Sequence, residues 1–76
     1  MPDKTYKLVE LVGGSENSVQ DAIRNAITRA SKSLEGIDWF EMQEVRGLVK
    51  DGKVSQFQVK VKVGFRIVSD DELKSS

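Results

Sequence analysis

Strict alternation of apolar and polar residues marks the last third of the chain. Over residues 55–67 the odd positions are mostly apolar and the even positions are mostly polar. This period of two is typical of an antiparallel strand with one buried face. A second strand is predicted over residues 37–47, which hold Trp39, the only tryptophan of the chain. The sequence therefore predicts two consecutive strands in its second half.

Asp51 and Gly52 predict a tight hairpin between these two strands. Asp-Gly suits a two-residue type I′ turn, because both of its central residues have positive φ. Pairing Lys50 with Lys53 across this turn fixes the register. On the core face this register pairs Phe40 with Val63 and Met42 with Val61. On the other face it pairs Trp39 with Gly64, Glu41 with Lys62, Gln43 with Lys60 and Val45 with Gln58.

The predicted register makes Trp39 an exposed platform. A large aromatic ring beside a glycine on a polar face leaves a flat apolar surface open to a stacking partner. The same register places Glu44 and Arg46 on the core face, where charged side chains are unfavourable. A bulge near Gly47 would reverse the faces on one side of it.

The first half of the chain predicts one strand and one helix. Residues 6–12 are rich in strand-forming side chains and are followed by two glycines. Ser15 is the predicted N-cap, with Glu16 in the first turn, and Gly36 is the predicted C′ residue that ends the helix near position 34 or 35. An alanine-rich apolar stripe lies at helical spacing between them: Val19, Ala22, Ile23, Ala26, Ile27, Ala30 and Leu34.

These elements predict an α+β fold of order β-α-β-β, with a three-stranded antiparallel sheet packed on one helix. We expect one domain over residues 1–76, with an ordered core at about 5–67 and a polar tail at 68–76. One helix covers one face of the sheet, so the Trp39 face is expected to meet a partner subunit or a ligand. A chain of 76 residues has a small core, which favours oligomerisation.

The composition excludes several classes of function. The 12 basic and 12 acidic residues give a formal net charge of zero, which offers no general attraction to nucleic acid or to anionic membranes. The chain has no Cys and no His, which excludes thiol catalysis, histidine acid–base chemistry and the usual zinc sites. By strand parity Glu41 and Glu44 lie on opposite faces and form no acid–base pair. We expect no enzyme activity, no metal, no nucleic-acid or membrane partner, and a cytoplasmic location.

Short segments spread along the chain carry a resemblance to a known family. They are YKLVELVG at 6–13, AIRNAITRASK at 22–32, DWFE at 38–41, VRG at 45–47, DG at 51–52, FQV at 57–59 and VGFR at 63–66. In this order, and without gaps over about 5–67, they resemble dodecin, a family of small bacterial and archaeal flavoproteins. One position departs from the pattern. Gly14 stands where Thr or Ser is expected, and a change in the loop before the helix is predicted there.

The resemblance implies an assembly and a ligand. It implies β-α-β-β protomers in a hollow homododecamer, with flavins stacked between symmetry-related tryptophans at two-fold axes and a glutamine at the polar edge of the isoalloxazine ring. The matching positions are Trp39 and Gln58. Arg46 is a further candidate, because a guanidinium group matches phosphate oxygens. The expected ligand is FMN, riboflavin or FAD, and coenzyme A binding is implied for some relatives without residues to assign here.

Two functions remain open. The favoured one is a non-catalytic flavin store that quenches the excited flavin by stacking on Trp39 at subunit interfaces. The alternative is an interaction module that oligomerises through the Trp39 face without a flavin. Each candidate also has an ordinary role: Trp39 as interface packing, Gln58 as a solvated strand residue, and Arg46 as a partner of Glu44 or of a neighbouring subunit. Trp39 and Gln58 are predicted to lie roughly 20 Å apart along the strands, so the site combines subunits.

Overall fold

The computed structural model describes residues 4–67 of the chain. Four elements follow one another: β1 (Thr5–Ser15), α1 (Val19–Ser31), β2 (Ile37–Lys50) and β3 (Lys53–Ile67). The strands form one three-stranded antiparallel sheet. The predicted fold class and the β-α-β-β order are therefore confirmed. The predicted polar tail, residues 68–76, lies outside the described residues.

Strand β3 is the centre of the sheet, with β1 on one side and β2 on the other. Its alternation has the predicted effect, because Val59, Val61 and Val63 are fully buried on the face that α1 covers. The even positions of β3 face the other way. The strand with the clearest sequence pattern is thus the one that both other strands pair with.

The hairpin turn between β2 and β3 is as predicted. Asp51 has φ of 53° and Gly52 has φ of 76°, the positive values that a type I′ turn requires. Lys50 pairs with Lys53 directly beside it. The sequence signal of Asp-Gly between two strands is confirmed by this geometry.

The predicted register holds in the part of the hairpin far from the turn and fails in the middle. Trp39 faces Gly64, Phe40 faces Val63, Glu41 faces Lys62 and Met42 faces Val61, as predicted. Gln43 is then an extra residue in β2, and beyond it Glu44 faces Lys60, Val45 faces Val59 and Arg46 faces Gln58. The predicted pairs Gln43 with Lys60 and Val45 with Gln58 are wrong, because this bulge shifts the register by one residue. A second irregularity between Leu48 and Val49 restores it before the turn.

Helix α1 begins at Val19, and its N-cap is Ser18. The Ser18 hydroxyl accepts a hydrogen bond of 3.0 Å from the backbone N–H of Asp21, which is also the acidic residue of the first turn. The prediction of Ser15 as N-cap is wrong because β1 continues through both glycines to Ser15. The Ser15 hydroxyl instead accepts a hydrogen bond of 2.9 Å from the backbone N–H of Asn17.

The helix ends earlier than predicted. Its last residue is Ser31 and its C-cap is Lys32, so the prediction of Gly36 as C′ is wrong. Gly36 lies in the connection to β2 with φ of 76°, and its carbonyl accepts a hydrogen bond of 3.0 Å from the backbone N–H of Arg66. Gly36 therefore lies directly before β2 and does not end the helix.

The alanine stripe of α1 allows the helix to pack very closely on the sheet. Ala22, Ala26 and Ala30 are its buried residues. A Cβ atom at Gly13 in β1 would lie 2.7 Å from the Cβ of Ala26 and would collide with the carbonyl oxygen of Ala22. Close approach of helix and sheet, predicted from the alanines, is confirmed, and it leaves no space for a side chain at Gly13.

The helix packs mainly on β1 and β3, and Phe40 of β2 lines an open depression together with Ile23 and Ile27 of α1. Phe40 is 47% exposed, and Met42 and Val45 are exposed as well, although their pairing partners on β3 are buried. The prediction that Phe40 and Met42 belong to the core is therefore wrong within one chain, since α1 lies mainly over the other two strands and leaves both side chains exposed. A protomer alone leaves these apolar side chains in water.

Candidate ligand-binding face

The candidate site lies on the sheet face opposite α1, which we call the open face. It consists of side chains at alternate positions of all three strands. The residues of the open face that form the candidate site are Tyr6 and Gly14 of β1, Trp39 and Arg46 of β2, and Gln56, Gln58 and Gly64 of β3. All three predicted site residues lie on this face.

Trp39 forms a platform at one end of the open face. Its six-membered ring lies over Gly64, so closely that a Cβ atom at position 64 would collide with the indole. The Tyr6 ring meets the indole edge-on, with ring centroids 4.8 Å apart and an angle of 66° between the planes. Trp39 remains 36% exposed. The sheet below and the tyrosine beside it hold the indole in place while part of it stays accessible, as predicted for a platform.

The Tyr6 hydroxyl is kept in its neutral form. Removal from water, then the hydrogen bond to Asp38 and the negative charge of that carboxylate, raise the pKa of Tyr6 above its ordinary value, while Arg66 lowers it. Since an ordinary tyrosine is already neutral at physiological pH, the raised pKa extends the neutral form of the phenol beside Trp39 to higher pH. The role of Tyr6 was not predicted, although its parity on β1 is the same as that of the other residues on this face.

A row of three polar side chains lies toward the other end of the open face. Arg46 Nε donates a hydrogen bond of 2.7 Å to Gln58 Oε1, and Gln58 Nε2 donates one of 3.1 Å to Gln56 Oε1. Arg46 reaches this row because the bulge at Gln43 moves it from the predicted core face to the open face. Within the chain, Arg46 Nε donates to Gln58 and not to Glu44, which the sequence left open as an alternative partner. The sequence indicated Arg46 and Gln58 separately, but it indicated neither their contact nor a role for Gln56.

The platform and the polar row are far apart within one chain. Trp39 faces Gly64, and Arg46 faces Gln58 on the same central strand. At about 3.3 Å per residue these two positions of β3 are separated by roughly 20 Å. One chain therefore does not bring its own Trp39 and Gln58 onto the same aromatic ring of a ligand.

Charged side chains fill the space between the Trp39 platform and the polar row. Lys60 forms an ion pair with Glu10 of β1 at 3.5 Å, so its predicted pairing with Gln43 is wrong. Glu41 faces Lys62 and Glu44 faces Lys60. Both glutamates thus lie on the open face, and the prediction that they lie on opposite faces is wrong because the Gln43 bulge separates them. Exposed pairs of this kind contribute little to stability.

A shallow depression on the open face includes two residues of the polar row, Arg46 and Gln58. It is lined by Val12, Glu44, Arg46, Gln58, Val59 and Lys60. It combines a guanidinium group, an amide and an apolar floor. These groups can bind the polar rim of a planar ligand together with an anionic substituent.

Gly14 is part of strand β1, where it faces Gln58. The sequence placed this residue in the loop before the helix, and that prediction is wrong because β1 extends through Ser15. The residue that departs from the family pattern therefore lies beside a candidate site residue.

Within residues 4–67, no three side chains of His, Cys, Asp or Glu lie together in a group that could hold a metal ion. In the same part of the chain, no helix combines the length and the apolar character needed to cross a membrane.

Comparison with known proteins gives consistent results. Residues 5–68 match the family model described as Dodecin. A dodecin of Thermus thermophilus is 48% identical over 64 residues, which are 84% of this chain and 93% of that protein. The solved structure of dodecin from Streptomyces coelicolor is 47% identical with a TM-score of 0.87, covering 92% of this chain and all of that one.

A more distant protein of known structure binds calcium. It is a calcium-chelating dodecin of Mycobacterium tuberculosis with a calcium-binding site, 27% identical to this chain with a TM-score of 0.75. It covers 87% of this chain and 94% of that one. The same protomer fold thus occurs in a protein that binds a metal ion.

Proposed function

This chain belongs to the dodecin family, and we propose that its function is to bind and store a flavin without catalysing a reaction on it. The flavin would stack on Trp39 at an interface between subunits, and the indole would quench the excited state of the flavin by electron transfer. FMN and riboflavin are the proposed ligands, with FAD as a larger variant of the same ring system.

The observation that carries this proposal is the position of the Trp39 ring over Gly64. An indole that lies against a sheet, supported at its edge by Tyr6, offers a flat π surface to a planar heteroaromatic ring. Its 36% exposure is apolar area that a stacked ligand would remove from water. A tryptophan that served only the core of one chain would not need a glycine beneath it on the uncovered face.

The proposed site needs more than one subunit. The polar row is roughly 20 Å from the platform along the strands, too far for both to contact one flavin ring. A two-fold axis across the open face would bring Trp39 of one chain toward Gln58 of another. We therefore include a closed homo-oligomer, a dodecamer as the family name implies, in the proposal.

Exposed apolar side chains on β2 support oligomerisation. Phe40, Met42 and Val45 lie on the side of the sheet that carries α1, but the helix does not cover them. Leaving such a group of apolar side chains in water is unfavourable for a small domain, and contact with other subunits would bury them. The same observation favours the second candidate function, an interaction module without a flavin.

Gln58 and Arg46 are proposed to bind the polar parts of the ligand. The Gln58 amide has acceptor and donor groups for the rim of the isoalloxazine ring. Arg46 uses Nε for Gln58, which leaves its two terminal nitrogens for a phosphate oxygen or another anion. We assign no catalytic role to Glu41 or Glu44, each of which is exposed and faces a lysine. Coenzyme A binding and the cytoplasmic location stay predictions.

The test is to purify the protein, identify any bound chromophore and measure flavin binding. The protein is expected to be yellow, and denaturation should release FMN, riboflavin or FAD that mass spectrometry identifies. After removal of the flavin, titration with riboflavin should quench ligand fluorescence and saturate near one flavin per chain. A colourless oligomer that leaves riboflavin fluorescence unchanged would favour the interaction module.

A further inference from the structure

The orientation of the Gln58 amide is set by its neighbours. A guanidinium group has only donors, so the Gln58 atom that faces Arg46 Nε at 2.7 Å is the oxygen. The NH₂ group then points to Gln56, and the Gln56 atom that it meets at 3.1 Å must be an oxygen. The polarity of the whole row therefore follows from the arginine.

This arrangement leaves a defined pair of groups on Gln58 for a ligand. An amide side chain can accept two hydrogen bonds at its oxygen and donate two from its nitrogen. Arg46 uses one acceptor position and Gln56 uses one N–H. One acceptor position and one N–H remain on the same amide group, a combination that complements a ring edge where carbonyl oxygens alternate with an N–H group.

Gly14 leaves the space in which Gln56 lies. A Cβ atom at position 14 would be 2.9 Å from Gln56 Nε2 and 3.3 Å from Gln56 Cδ, both closer than ordinary contact. The positive-φ residues of the described chain are Asp51, Gly36 and Gly52, so Gly14 has no positive φ that would require glycine. Space for the Gln56 amide is the local constraint at this position.

We infer that Gln56 and Gly14 are positioning residues for the ligand. Gln56 holds the Gln58 amide in the orientation that presents one donor and one acceptor to the polar edge of a bound flavin. Because Gly14 has no side chain, the Gln56 amide can lie over strand β1, where it accepts the hydrogen bond from Gln58. This inference rests on the proposed flavin function and extends it to two residues that do not themselves touch the ring.

The experiment is a riboflavin titration of six flavin-free proteins, monitored by flavin fluorescence. They are the parent, Gln56→Ala, Gln56→Glu, Gly14→Ala, the double variant of Gln56→Ala with Gly14→Ala, and the control Gln20→Ala. Gln56→Ala should weaken riboflavin binding about three- to tenfold, the effect of losing one orienting hydrogen bond. Gln56→Glu should bind within about twofold of the parent, because a carboxylate oxygen still accepts from Gln58 Nε2.

The double variant tests Gly14 separately. Gly14→Ala alone should weaken binding to a similar extent as Gln56→Ala, because the methyl group displaces the end of a flexible side chain and leaves the backbone in place. Added to Gln56→Ala, it should change affinity by less than about twofold, since the displaced amide is already gone. Gln20→Ala on the exposed surface of α1 is the control for a Gln-to-Ala change. Midpoints of thermal unfolding for all variants should lie close together.

The outcomes separate this inference from the function on which it rests. If the parent binds riboflavin and Gln56→Ala binds equally well, the positioning role of Gln56 is wrong. If Gly14→Ala weakens binding as much in the Gln56→Ala background as in the parent, Gly14 does not act through Gln56. If the parent itself fails to bind or quench riboflavin, the proposed flavin function is wrong.

Discussion

Replacement of Gly64 by alanine tests how the sheet supports the Trp39 platform. A Cβ atom at position 64 would occupy the space in which the indole lies, in contact with three of its ring atoms. The backbone of β3 is paired on both sides at this point, with Leu8 and with Trp39, so the strand cannot move away. We expect the indole to swing off the sheet and to lose its contact with Tyr6.

The size of the effect follows from the area involved. Trp39 is 36% exposed, so roughly two-thirds of a large aromatic side chain is removed from water in the folded chain. Exposure of about 80 Å² of that surface at about 25 cal/mol per Å² destabilises the fold by about 2 kcal/mol. A tilted indole would also stack poorly, and we expect riboflavin affinity to fall by at least about tenfold.

The assay combines urea unfolding at fixed protein concentration with riboflavin titration, and Gly47→Ala is the matched control. Gly47 lies in β2 of the same hairpin, and a Cβ atom there would lie 3.6 Å from the Gln56 carbonyl oxygen and 3.8 Å from Val54 Cγ1, which are ordinary contacts. We expect Gly47→Ala to bind riboflavin like the parent and to be at least as stable. A Gly64→Ala protein with parental stability, tryptophan emission and riboflavin affinity would refute the reasoning.

Three further predictions follow from the open face and the exposed strand. Arg46→Ala should weaken riboflavin binding about threefold, because the contact with Gln58 is lost. It should weaken FMN binding at least about tenfold if the terminal nitrogens bind the phosphate. Equal losses of affinity for the two ligands in parallel titrations would limit Arg46 to orienting Gln58. Tyr6 has a raised pKa in the folded chain, so its contribution to stability is present below its unfolded value of about 10 and is lost as pH rises through the folded value. Tyr6→Phe should therefore lose less stability than the parent between pH 8 and pH 11, and parallel losses in urea unfolding would contradict this. Sedimentation at micromolar concentration should give a closed oligomer of about 100 kDa, twelve times the 8.5 kDa chain, and a stable monomer or dimer would contradict the proposed assembly.

Local patterns in the sequence determined most of the fold. The alternation over residues 55–67 and the Asp51-Gly52 turn each have one physical interpretation, and both are confirmed. The start of the helix was harder to predict, because serine is an equally good N-cap at positions 15 and 18. Only the pairing of β1 with β3, which extends through Ser15, decides between them. The prediction of buried Phe40 failed because a pattern specifies faces but not which strand the helix covers.

The arrangement of the candidate site was less accessible from the sequence. A bulge adds one residue without a distinctive residue type, so nothing at Gln43 indicated that the register shifts there. That shift alone moves Arg46 beside Gln58. The placement of two charged residues, Glu44 and Arg46, on the core face was the signal of an error in the register. Trp39, Gln58 and Arg46 as ligand contacts stay predictions, carried by the family resemblance and by their common face.

The most direct test of the central claim is the riboflavin titration of flavin-free Trp39→Ala beside the parent. Gln20→Ala on the exposed surface of α1 is the control, because it lies outside the open face and outside the exposed apolar group of β2. All three proteins are compared only after sedimentation shows the same oligomer. Loss of one stacked ring, about 1–3 kcal/mol, predicts riboflavin binding weaker by at least about fivefold in Trp39→Ala, with fluorescence recovered in whatever flavin remains bound, and parental behaviour in Gln20→Ala. Binding and quenching by Trp39→Ala at the parental level would contradict the claim that this indole holds the flavin.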